Sequence, residues 1–169
     1  LALALTFSHS FAQPTAQSIV LAKTIPIADI HMHVHNTSRT LSPNDFKYLM
    51  EKNNIQWGGG VGDYQSYLAN ALGNRYISAI GQEEFISTKR ESTLTDPENF
   101  KDMFARAEEM FKAGTLKGFG EIHSDNHRSG SPDIRRQIRI RSPAIERMYE
   151  IANKYDAYVQ VHAEYDTQF

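Results

Sequence analysis

Five short apolar runs, each separated from the next by a stretch with helical character, restrict this chain to few architectures. The runs are IPIADIHMHV, NIQWGGGVG, RYISAIG, LKGFGEI and AYVQVHAE, and their lengths and bounding Pro and Gly residues read as strands. The punctuation between them reads as helix boundaries. Ser42-Pro43 pairs an N-cap with a first-turn proline and opens a helix through about Lys52. DYQSYLANAL has helical spacing and stops at Gly73. Asp96-Pro97-Glu98 opens a longer helix with Phe100, Met103, Phe104, Ala107, Met110 and Phe111 along one face, ended by Gly114. Ser142-Pro143 opens another, through about Tyr155. Strands alternating with helices pair in parallel through right-handed crossovers, so the expected class is α/β. An open doubly wound sheet and a (β/α)8 barrel both begin this way. No second-domain boundary or low-complexity linker interrupts the pattern.

Composition matters chiefly for what it excludes. With 40% hydrophobic and 22% charged residues, the chain has material for a core. A net charge of −2 gives no global attraction to nucleic acid or a membrane surface. There is no cysteine, so any metal must be held by His, Asp, Glu or water, which points to zinc, manganese, iron or nickel. The opening LALALTFSHSFAQPTAQ has an apolar run followed by Ser10-Phe11-Ala12, the pattern of a secretory signal and its cleavage site. An initiating Met and a positive first region are missing from it, and the apolar run is too short to anchor in a bilayer. The expectation is therefore a signal remnant and tail over residues 1–24, a folded domain over 25–169, and export to a periplasm. A short apolar helix of the mature domain is the plain alternative.

The chemistry collects at strand ends. IADIHMHVHNT places histidines at 31, 33 and 35. Residues two apart on a strand face the same side, so His31 and His33 point together, with Asp29 behind them. Two imidazoles on one face can share a metal ion, whereas His35 falls past the strand. Glu121 ends LKGFGEI, where a carboxylate is costly to bury unless paired or metal-bound. His162 ends the fifth strand in YVQVHAE. Each of these alone has an ordinary reading as a loop residue or hydrogen-bonded core histidine. Together they sit at the same end of three parallel strands, where α/β proteins place their sites.

DIHMH, GFGEIHSD and VQVHAE, in that order, resemble the metal-dependent hydrolases of the amidohydrolase superfamily, over roughly residues 25 to 165. The resemblance implies a TIM barrel whose first strand ends in Asp-x-His-x-His, matched by Asp29, His31 and His33. It implies a metal-binding, catalytic carboxylate in Glu121, with Asp125 matching the Asp of the TatD-type branch, and a further ligand in His162. Lys117, the rival for the bridging role, begins its strand instead of ending it. A further His after a sixth strand and an Asp after an eighth are expected of the family. The chain therefore reads as strands one to five of a partial (β/α)8 barrel, with unpaired sheet edges and marginal stability alone.

The implied activity is hydrolysis of an amide, lactone, ester or phosphoester using one or two divalent ions, most readily zinc. The substrate would be a small molecule, and association into oligomers is compatible with this reading. Substrate contacts are expected from His123, from Arg139 within RRQIRIR as an anion-binding group, and from Trp57 as a pocket wall. The plain alternatives are a solvated loop for His123 and His127, a solvated charge run for Arg139, and core packing for Trp57. Two other functions remain open: a decarboxylase or other lyase using the same site, and a non-catalytic periplasmic module holding copper or zinc through His31, His33 and His35.

Overall fold

The computed structural model describes residues 13–164, apart from 34, 37, 38, 41, 89, 133 and 134. The apolar opening, residues 1–12, lies outside the described residues. Helix α1 (Ala16–Thr24) is capped by Thr15, which accepts the Ser18 N–H, and none of its residues is buried. No helix among the described residues is long and apolar enough to cross a membrane.

The fold is mixed α/β. Strand β1 (Ile27–His33) is followed by a short antiparallel pair, β2 (His35–Asn36) and β3 (Arg39–Thr40), so position 35 does lie beyond β1. Then come α2 (Pro43–Lys52), β4 (Ile55–Val61), α3 (Ser66–Leu72), β5 (Tyr76–Ile77) and β6 (Ala79–Ile80). The chain continues through α4 (Gln82–Ser87), α5 (Glu91–Thr95), α6 (Lys101–Lys112), β7 (Gly118–Asp125), α7 (Pro143–Lys154) and β8 (Tyr158–Ala163). Two three-stranded parallel sheets result, ordered β1-β4-β5 and β6-β7-β8.

The capping chemistry acts as its residue types require. Ser42 accepts the Asp45 N–H at 3.1 Å and donates its hydroxyl to the Asp45 carboxylate at 2.6 Å, satisfying an orphan donor of α2. Gly73 ends α3 at φ 56°. Pro97–Phe100 forms a 3-10 turn before α6, with the Asp96 side chain accepting the Glu98 N–H. Along α6, Met103, Phe104, Ala107 and Phe111 are buried, as the spacing requires. They pack with Phe85, Phe119, Ile145, Met148 and Ile151 into the main core. A smaller core under α2 and α3 contains Phe46, Met50, Leu68, Leu72 and Tyr76.

Three features depart from the sequence pattern. The run RYISAIG is one strand by composition but divides at the buried Ser78, so β5 completes one sheet and β6 begins the other. The Ser78 hydroxyl donates to Thr115 O at 2.6 Å, and its carbonyl accepts the Lys117 N–H, which is why the break is tolerated. The segment before α6 holds two short helices, α4 and α5, that the pattern does not announce. Strand β7 does not end at Glu121 but runs to Asp125.

The sheets are drawn together at glycines. A Cβ at Gly60 would stand 1.9 Å from Ile30 O, and one at Gly120 would stand 2.4 Å from Gly60 O. Strands β1, β4 and β7 therefore approach more closely than side chains permit. Farther round, the Gln160 side chain of β8 donates to Ile30 O of β1 at 3.1 Å. Ile27 and Ile30 of β1 remain exposed.

Candidate metal centre

Glu121 is the hub. It is 5% exposed and sits where β7 slips register against β8, at φ 25°, a backbone region uncommon for a non-glycine residue. Backbone strain of this kind concentrates at functional sites. Four imidazoles surround the carboxylate. His162 Nδ1 lies 3.1 Å from Oε1, and His31 Nε2 lies 3.7 Å from the same oxygen. His33 Nε2 and His123 Nε2 each lie 3.6 Å from Oε2. The Gln82 side chain donates to Oε2 at 2.9 Å.

The two histidines of β1 face each other, with Nε2 atoms 3.3 Å apart and rings edge-on. The β1–β4 register slips between Asp29 and Met32, and Asp29 Oδ1 accepts the His31 N–H at 3.1 Å. On the other side of Glu121, the His123 and His162 rings stack at 4.8 Å. The Ser124 hydroxyl holds the strands in step by donating to His162 O at 3.0 Å.

Burial pushes the Glu121 carboxyl up, but contacts with the His123 and His162 ring nitrogens and the charges of His123 and His33 outweigh it. Together they hold the carboxyl down at about 2. Glu121 is thus ionised at neutral pH, as a metal ligand must be.

The donor set fits a divalent ion. Around tetrahedral zinc, with bonds of about 2.0–2.1 Å, neighbouring donor atoms stand about 3.3–3.4 Å apart. Each of the four imidazole nitrogens lies 3.1 to 3.7 Å from one or other Glu121 oxygen, His31 and His33 Nε2 are 3.3 Å apart, and within each ligand triad the donor atoms all lie within 4.8 Å of one another. Two overlapping ligand groups are present: His31, His33 and Glu121, and Glu121, His123 and His162. His123 Nε2 is buried without a hydrogen-bond partner, a costly state that a bound cation relieves.

His31, His33, Glu121 and His162, from three separate strands, are thus brought together. One alternative from the sequence is corrected. His123 is not in a solvated loop: it lies within β7, is 8% exposed and joins the cluster, with Asn126 reaching its Nδ1 at 3.4 Å. His127 does lie in the turn after β7, half-buried against Asp125 and apart from this cluster. The polar surroundings of His123 read as loop in sequence, yet a buried polar site needs such residues on its strand.

Trp57 and Arg139 are not brought to the cluster. Trp57 pairs opposite Ala28, near the start of β4 and away from the His33–Val61 end, and is 41% exposed, so it neither walls this site nor packs in the core. Arg139 lines a separate 460 Å³ cavity with Glu91, Gln137 and Ser142. In the same basic run, Arg136 is buried and serves the fold by donating to Phe85 O and Ile86 O. Lys117 precedes β7, as expected, and donates to Gly114 O.

No family model matches this chain, nor does any curated protein or solved structure.

Sequence reasoning missed Gln82 and the residue that places it. The α4 N-terminus is held by Asp63, whose Oδ1 accepts the N–H groups of Gly81 at 2.9 Å and Gln82 at 3.0 Å. The available signal was an acid directly after the β4 glycines, the same strand-end position that singled out Glu121. Burial, and then the charge of Glu84, raise the Asp63 carboxyl from 3.8 to about 7. A raised folded pKa means that the folded state holds the proton longer than the unfolded chain does. The stability it contributes is present below pH 3.8 and lost as pH rises through about 7. Asp63→Asn keeps the acceptor and removes the titration. Urea midpoints of the wild type should therefore fall relative to Asp63→Asn across this window, and parallel profiles would refute the assignment.

Proposed function

We propose that this chain forms part of a metal-dependent hydrolase of the amidohydrolase superfamily, its strands making up the first five of a partial (β/α)8 barrel. The observation that carries the reading is one buried, ionised carboxylate ringed by four imidazoles carried on strands β1, β7 and β8. The barrel reading is supported by strand neighbours that follow chain order within each parallel sheet, β1-β4-β5 and β6-β7-β8, with only Ser78 between β5 and β6 along the chain. It is also supported by the reach of Gln160 to Ile30 O, since a sheet must curve to bring its last strand back toward its first. Reading the apolar opening as a secretory signal would make the enzyme an exported, periplasmic one.

His31, His33 and Glu121 form one ligand group and Glu121, His123 and His162 the other, so one ion or two would be held with Glu121 common to both groups. Such an ion supplies Lewis acidity toward a carbonyl or phosphoryl oxygen and acidifies water. The chain's own groups set the geometry around it. Gln82 fixes the Glu121 carboxylate by donating to Oε2. His31 and His33, about half exposed, stand on the open side from which a small substrate approaches, whereas Glu121 and His123 close the floor. Zinc suits this imidazole-rich set best.

The test is hydrolysis of nitrophenyl acetate, nitrophenyl phosphate, an anilide and a simple lactone by the zinc-loaded chain. Turnover of at least one substrate should be abolished by a chelator and restored by zinc. Stoichiometric zinc without turnover of any of them would overturn the enzyme reading and leave the non-catalytic metal-binding module.

A further inference from the structure

Arg139 and Arg141 take no part in the metal centre and sit beside the N-terminus of α7. A turn closed by the Ser142 N–H, which donates to Arg139 O at 2.8 Å, holds both arginines next to Ser142. All three residues line the 460 Å³ cavity, and Ile138 and Pro143 give it an apolar wall. That volume is in the range of small-molecule sites.

Helix α7 is 12 residues long, and Ser142 holds its N-cap position, yet the Ser142 side chain caps no first-turn N–H. Pro143 has no N–H to offer, and those of Ala144 and Ile145 go uncapped by Ser142, so no cap offsets the positive end of the helix dipole. Ser142 itself is 5% exposed, and its Oγ is buried with no hydrogen-bond partner. A buried hydroxyl left this way is costly unless a ligand takes it. At α2 the same Ser-Pro start is satisfied, because Asp45 both donates its N–H to Ser42 and accepts the hydroxyl. The matching position in α7 is Ile145, which has no acceptor to give. A solvated basic loop would account for the arginines, but not for an orphaned hydroxyl in the wall of the same cavity.

Glu91 also lines the cavity and opposes an anion there. Its Oε1 already accepts the Gln137 N–H at 3.0 Å, and the charge of the buried Arg136 acts against its own. Glu146 accepts from Arg141 Nε at 3.0 Å, which leaves the terminal nitrogens of that guanidinium to donate elsewhere. Arg136, Arg139 and Arg141 against Glu91 and Glu146 leave positive charge in excess at a helix N-terminus.

We propose that this cavity binds the phosphate group of a small molecule. Arg139 and Arg141 donate to its oxygens, the Ser142 hydroxyl donates a further bond, and the α7 N-terminus adds its dipole. The organic part of the molecule lies against Ile138 and Pro143. The site is separate from the Glu121 centre and does not rest on the hydrolase reading.

The test is calorimetric titration of the full chain, freed of metal by chelation and dialysis, with inorganic phosphate and with phenyl phosphate. Phenyl phosphate should bind one to one, more tightly than inorganic phosphate, and more weakly as salt is raised. Equal affinities would make free phosphate the ligand and still support the site. Arg139→Ala and Ser142→Ala should each weaken binding by about 10-fold or more. Lys112→Ala, which removes an exposed cation at the end of α6, and Glu121→Gln should bind as the wild type does. If Ser142→Ala does not fold, Arg139→Ala decides the matter, because that side chain is exposed. A wild type that binds neither probe at millimolar concentration, or an Arg139→Ala variant that binds as the wild type does, would overturn the proposal. So would loss of binding in Glu121→Gln, which would put the anion on the imidazoles around Glu121.

Discussion

Replacing Glu121 with glutamine should weaken zinc binding at the metal centre by about 100-fold or more, while leaving the chain folded. Changes to groups that merely orient metal ligands already cost about 10–100-fold in affinity, so loss of a charged ligand should meet or exceed that range. Glutamine has the same shape and keeps an oxygen to accept the Gln82 N–H, so packing changes little. What it loses is the negative charge that His31, His33, His123 and His162 all face. His123→Ala should also weaken binding, by about 10-fold or more, because its buried Nε2 points into the same space. A solvated-loop histidine would show no such effect, so this variant separates the strand placement from the loop placement. Zinc titration at neutral pH, with circular dichroism as the folding control, reads both. Unchanged affinity in Glu121→Gln would reduce the ring of imidazoles to a hydrogen-bonding network.

The parts of this site legible in the sequence were those carried by apolar context. His31, His33, Glu121 and His162 each follow a hydrophobic run, so the strands could be read directly, with the ends of β1 and β8 near His33 and His162, whereas β7 runs on past Glu121. The helices α2 and α7 were marked by Ser-Pro starts, and α6 by its buried stripe. What could not be read was set by contacts distant in the chain. Gln82 reaches Glu121 only because Asp63, from the far side of α3, fixes the backbone of α4. Helices α4 and α5 span six and five residues, too short for a helical period to emerge. The continuation of β7 through His123-Ser124-Asp125 was hidden because buried polar residues look like loop residues when their partners are unknown. Trp57 was misplaced for the opposite reason. Read with the following glycines as the end of its strand, it suggested a pocket wall, but its position near the start of β4 puts it away from the rim.

The second large effect is expected at Gly60. Its φ is 89°, and an added Cβ would meet Ile30 O at 1.9 Å, well inside any tolerable contact. Gly60→Ala therefore combines backbone strain with an overlap against another strand's backbone, which cannot rotate away. The two together should cost about 3 kcal/mol or more. Gly73 is the matched control. It also has positive φ, 56°, with ψ −129°, but nothing lies within 4 Å of the point where an added methyl would stand, so Gly73→Ala should carry the backbone strain alone, about 2 kcal/mol. The consequence reaches the site, because Ile30 directly precedes His31 and Gly60 pairs opposite Met32. Relief of the overlap must push β1 off β4 and separate His31 and His33 from Glu121. Gly60→Ala should accordingly lose both urea stability and zinc affinity, whereas Gly73→Ala should lose less of the first and none of the second. Equal urea midpoints for the two variants would show that β1 does not lie against β4 at this crossing, and the convergence of the β1 histidines on Glu121 would lose its structural basis.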